Sequence, residues 1–183
     1  MPRSAERVGT SSSSITVIVA TAAVIEASFV NALAAIERLL EGRAYLFGAR
    51  PCLADFGLAG QLAQLRSDPT PGALIEAKAP NVARWIARMD SPSVEGRFLG
   101  FEELRDGLGD FLRGEVAGAY LPWMAANAEA VAAEAQFVTV EIAGAQFSQK
   151  PQRYAAKALA ELRRKRALAG NAGGLAALLA ECG

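Results

Sequence analysis

One carboxylate sets the tightest constraint on this chain. Asp55 stands inside Leu53-Ala54-Asp55-Phe56-Gly57-Leu58-Ala59-Gly60-Gln61-Leu62, a segment that is apolar around nearly its whole circumference at helical spacing. A helix of that kind belongs in the middle of a core. There a carboxylate is partly desolvated, and unless donors meet it folding carries a penalty of roughly several kcal/mol. Asp55 is the third helical position after Cys52, from which a carboxylate reaches back to the backbone N–H of the capping residue. Cys52 and Asp55 therefore read as a capping box, with Pro51 and Phe56 placed as its hydrophobic staple. Gly57 and Gly60 would each cost about 1 kcal/mol against Ala in an exposed helix, so they predict neighbours that approach the backbone closely.

The segments around this helix are also helical. Phe29, Ala32, Leu33, Ile36 and Leu40 recur on one face of a helix that starts near Ile25 and ends near Gly42. The Asp68-Pro69-Thr70-Pro71 turn opens a short helix that stops before Pro80, and Val82, Trp85, Ile86 and Met89 then form a stripe at offsets of three, four and seven. After a Ser/Pro/Gly-rich break, one long helical pattern runs from about Leu108 to Met124, with Pro122 expected to kink it. Tyr120 and Trp123 in that pattern are read as core aromatics.

The period then switches to two. Val138, Val140 and Ile142 alternate with Phe137, Thr139 and Glu141, and a second run from Gln146 to Gln149 follows Ala143-Gly144, which predicts a short β-hairpin near 137–149. An amphipathic helix follows Pro151, with Tyr154, Ala155, Ala158, Leu159 and Leu162 expected inward, and a short Ala/Leu helix follows Gly174. The fold class is thus mainly α, a helical bundle with one hairpin. Residues 1–22 are expected to be a flexible Ser-rich leader, and 23–183 a single helical domain with a hairpin–helix extension at its C-terminal end. Arg3 and Arg7 before an apolar stretch resemble a secretory signal, but the apolar positions run straight into the first helix and are too few to span a bilayer.

Composition narrows the chemistry. The 183 residues contain no histidine, which removes His-dependent nucleophilic catalysis and every metal site built on imidazole. Nineteen basic side chains balance nineteen acidic ones, so no overall field draws in nucleic acid or an anionic membrane, and neither is expected as a partner. The Arg163-Arg164-Lys165-Arg166 run is explained by the helix dipole without a ligand, and no aromatic platform is interleaved with it. Cys52 and Cys182 have no zinc or dithiol spacing, and a reducing cytoplasmic setting fits them. Cys52 at a helix N-terminus has one attribute of a reactive thiol, yet burial as a small apolar residue is the plainer reading. No phosphate-cradling glycine loop and no differentiated carboxylate pair is present, so no catalytic, cofactor-binding or metal residue is assigned.

Tyr45-Leu46-Phe47-Gly48-Ala49-Arg50-Pro51-Cys52-Leu53-Ala54-Asp55-Phe56 resembles the signature of the glutathione S-transferase C-terminal domain. Gly60-Gln61-Leu62, Asp68-Pro69-Thr70-Pro71, Ala79-Pro80 and Trp85-Ile86 are similar to a bacterial branch of the same family, and the likeness covers most of Glu26 to Arg166, less specifically past Phe98. The resemblance implies an all-helical bundle in which Asp55 completes a buried capping box; Cys52 stands where the family places Ser or Thr. It also implies that this half contributes the electrophile pocket for glutathione conjugation. Glutathione is the family's co-substrate, and its site and the thiol-activating residue belong to a thioredoxin-like domain for which no counterpart is found here. The expectation is a truncated or split protein with little activity alone, whose partners are a thioredoxin-like domain or a second copy of the chain. The alternative is a stand-alone helical module that binds small apolar ligands or a thioredoxin-like partner.

Overall fold

The computed structural model describes residues 12–169 and 174–181. In chain order these form α1 (Ser12–Leu39), α2 (Leu53–Arg66), α3 (Pro69–Lys78), α4 (Pro80–Arg88), α5 (Phe101–Phe111), a π-helical segment (Leu112–Tyr120), α6 (Leu121–Ala132), β1 (Val138–Ile142), β2 (Ala145–Gln149), α7 (Arg153–Ala169) and α8 (Leu175–Glu181). The class is mainly α with one antiparallel hairpin. Its α1 starts at Ser12, so the helix already occupies the second half of the expected leader; Arg3, Arg7 and Cys182 lie outside the described residues. No helix among the described residues is long and apolar enough to cross a membrane.

The main core gathers where α1, α2, α3 and α4 meet. Leu33 and Ile36 of α1, and Leu40 just after it, pack with Ile75 of α3 and with the stripe of α4, of which Val82, Trp85 and Ile86 are buried. Proline at the first turn of both α3 and α4 starts each helix where a missing N–H costs nothing, and the Asp68 side chain accepts from the Thr70 N–H to cap α3. The connection from α1 to α2 is held by a bridge between Tyr45 and Gly48 and another between Gly48 and Phe98. Gly48 is required there: its φ is +133°, and a Cβ would stand 2.7 Å from the Arg97 carbonyl oxygen.

Two smaller clusters build the rest of the molecule. Val24 of α1 packs with Ile142 and Phe147 of the hairpin, and Met124 of α6 packs with Ala155 and Leu159 of α7. The hairpin turns at Ala143 and Gly144, both at positive φ, the backbone of a two-residue turn that matches strand twist. Thr21 ties it to α1, accepting from the Ser148 N–H at 3.2 Å.

Four expectations are corrected. The helix carrying Asp55 is not enclosed on all sides: only Asp55, Ala59 and Leu62 of α2 are buried, while Leu53 is 85% and Phe56 53% exposed. Apolar character measured what α2 could bury, not what is at hand to cover it. Accordingly nothing lies within 4 Å of a Cβ built on Gly57 or Gly60, so the close neighbours inferred for them are not there. The long helix through Pro122 does not kink as one α-helix. It widens into the π segment, where the Leu121 N–H donates to the carbonyl five residues back, at Val116. Pro122 has no N–H for the carbonyl of Gly118 and its ring would crowd it in an α register; the wider turn avoids both. In α7, Tyr154 is 83% exposed because Ala155 and Leu159 set the buried line about 100° away around the helix.

Candidate functional site

Asp55 is wholly buried at the junction of the α1–α2 connection with α2 and α4. Its Oδ1 accepts from the Leu46 backbone N–H at 2.9 Å and from the indole Nε1–H of Trp85 at 2.9 Å. Its Oδ2 accepts from the Cys52 backbone N–H at 2.9 Å and from the Cys52 thiol at 3.1 Å. Four donors converge on one carboxylate, which is how a buried charge is tolerated. The thiol donates to the aspartate instead of making a capping hydrogen bond to an amide of α2, and the Asp55 N–H goes to the Cys52 carbonyl at 3.0 Å. Desolvation raises the pKa of Cys52, and its hydrogen bond to Asp55 raises it further. The thiol is thus held protonated, the reverse of an activated nucleophile.

Pro51 is half-buried, and the ring of Phe56 stays largely in solvent. Sequence reasoning missed the Trp85 contact, thirty residues from Asp55. The signal was available: a buried indole N–H needs an acceptor, and Asp55 was the one carboxylate already assigned to the core. Nearby, the Arg50 guanidinium lies over the Phe98 ring at 5.2 Å, and the Tyr45 hydroxyl accepts from the Ser93 N–H at 2.8 Å.

This buried network is scaffold, and open space lies elsewhere. Along α1, facing the π segment and the hairpin, run two adjoining cavities of about 440 and 380 Å³. They share Val24 and Ser28 of α1, Glu115 and Ala119 of the π segment, and Ile142 of β1. The walls are mostly small and apolar, with Asn31 and Arg38 at one end and Trp123 at the other. The Nε1–H of Trp123 is buried without a partner. Such a groove, apolar with a few polar groups, suits a compact organic molecule.

Residues 19–88 match the family model described as glutathione S-transferase, C-terminal domain. Over that stretch the chain is similar to the glutathione S-transferase C-terminal domain. Within the matched residues fall most of α1, the whole Asp55 network, and α2, α3 and α4 up to Arg88. The match ends before the π segment, the hairpin and α7, so one wall of the groove along α1 belongs to the matched residues and the other does not. Comparison with curated proteins and with solved structures finds no match.

Proposed function

We propose that this chain supplies the electrophile-binding half of a glutathione-conjugating system, with the groove between α1 and the π segment as the pocket. One observation carries the reading: the residues matched to the glutathione S-transferase C-terminal domain form the α1 wall of that groove. Val24, Ala27 and Ala119 offer apolar contact to an aromatic or alkyl electrophile, and Ser28 and Asn31 offer polar contacts that orient it. Conjugation also needs a glutathione thiolate. The one cysteine among the described residues is itself a hydrogen-bond donor to Asp55 and has no acidity to lend. In this division of labour a thioredoxin-like domain brings and activates glutathione, in a reducing compartment such as the cytoplasm, and the helical chain holds the second reactant.

The test has two arms. Mixed with glutathione and an aryl halide, the purified chain should turn over at the uncatalysed rate, and addition of a thioredoxin-like glutathione-binding domain should raise it. In calorimetry the same aryl halide should bind the chain alone, and Ala27→Trp, which fills the groove, should abolish that binding. Turnover by the chain alone at the rate of an intact transferase would overturn the division of labour. Absence of any binding would overturn the pocket.

A further inference from the structure

The basic run at the end of α7 divides by face. Arg164 and Lys165 turn to Glu161, at 2.7 and 3.7 Å. Arg163 and Arg166 turn the other way, onto the face that also carries Leu159 and Leu162, at offsets of three, four and seven from Leu159. These four side chains form one wall of a cavity of about 990 Å³. Across from them stand Leu112 and Val116 of the π segment and Leu121 of α6, and Leu179 of α8 lines it too. The helix bearing Leu179 is anchored beside the cavity by buried Leu178 and by an Arg105–Glu181 ion pair at 2.6 Å. The space lies outside the residues matched to the family model, and its volume is at the upper end of small-molecule sites, about 300–1,000 Å³.

Its chemistry is lopsided. Leucine and valine make up most of the lining, and every ionisable side chain in it is an arginine. Among the described residues Arg163 makes no ion pair or hydrogen bond, although its neighbours Arg164 and Lys165 share Glu161. An uncompensated guanidinium at the edge of an apolar space selects an anion joined to an apolar body, and its planar fork matches a carboxylate. One open guanidinium calls for one charge.

We propose that this cavity binds a long-chain monocarboxylate, a fatty acid, with its tail along Leu159, Leu162 and Val116 and its carboxylate on Arg163. Arg166 lines the same space. The site shares only Val116 with the groove along α1 and does not depend on the conjugation reading.

The experiment is displacement of a fluorescent polyene fatty acid from the full chain by laurate and by dodecanol, both below their aggregation limits. Laurate should displace the probe at least about tenfold more strongly than dodecanol, the value of one charge-assisted contact. Arg163→Gln, a change at an exposed side chain that leaves the fold intact, should bring laurate down to the level of the alcohol. Ala125→Trp, which fills this cavity alone, should remove binding of both with an unchanged helical spectrum. Equal binding of acid and alcohol to the native chain, laurate affinity unmoved by Arg163→Gln, or no binding of the probe would each overturn the proposal. So would self-association that persists in saturating laurate and is broken by Leu162→Lys, because the cavity would then be covered by a second copy.

Discussion

Two fully buried polar side chains, Asp55 and Asn127, do the same job in the two halves of the molecule with different force. Asp55 fastens the α1–α2 connection and the indole of α4 to the start of α2 through four donors. Asn127 fastens the start of α7 to α6 with two bonds to one residue: its Oδ1 accepts from the Gln152 N–H at 2.7 Å, and its Nδ2–H donates to the Gln152 carbonyl at 2.9 Å. The first is charged and surrounded by the main core; the second is neutral, and Gln152 is exposed. A buried polar group fixes structure in proportion to the number of donors that have nowhere else to go. In the first half those donors are in the core, and in the second water can replace the partner.

The largest expected effect is therefore at Asp55. Replacing it with Ala strands the Leu46 N–H and the Trp85 indole N–H, and should cost about 3–5 kcal/mol in urea unfolding. Asp55→Asn keeps an acceptor for those two donors but sets an NH2 against the Cys52 N–H, so about 2 kcal/mol is expected. Asn127→Ala should cost less than Asp55→Ala, about 1–2 kcal/mol, and should speed amide exchange at the start of α7 while α2 stays protected. Equal losses for the two alanine variants would break the comparison.

Smaller effects sharpen it. Cys52→Ser replaces a weak thiol donor with a hydroxyl that both donates to Asp55 and accepts from an amide of α2, and should stabilise by about 0.5–1 kcal/mol. A loss of stability would mean that the thiol is held by packing. The last prediction concerns the exposed start of α5, where Glu103 accepts from the Gly100 N–H at 2.9 Å and pairs with Arg97. The hydrogen bond from Arg97, then that from Gly100, lowers the pKa of Glu103 from 4.5 to about 2. The folded value lies below the unfolded one, so the contribution is complete above pH 4.5 and is lost as pH falls toward 2. The urea midpoint of the native chain should fall through that window by a small amount, because both groups are solvent-screened, and Glu103→Gln should flatten the fall.

The sequence carried the helices and the hairpin clearly, because periods of 3.6 and 2 are imposed by the backbone and survive without tertiary knowledge. Val82, Trp85 and Ile86 are buried as their spacing demands, and Asp55 is satisfied by main-chain amides as its surroundings demand. What could not be read was which apolar surface has a neighbour. Leu53 and Phe56 look like core residues in one dimension and lie at the surface in three. Asn127 was passed over because an amide in an Ala-rich helix carries no periodic mark; its partner is twenty-five residues away. The grooves escaped for the same reason: their walls come from α1, the π segment, the hairpin and α7, which no local pattern joins.

The chain contains two tryptophans, and the fold has put one in each half. Trp85 sits against a carboxylate in the main core, whereas Trp123 packs between the two smaller clusters. Their emission should therefore differ in colour and in the denaturant concentration at which it shifts, giving an optical readout of whether the two halves come apart together or in sequence.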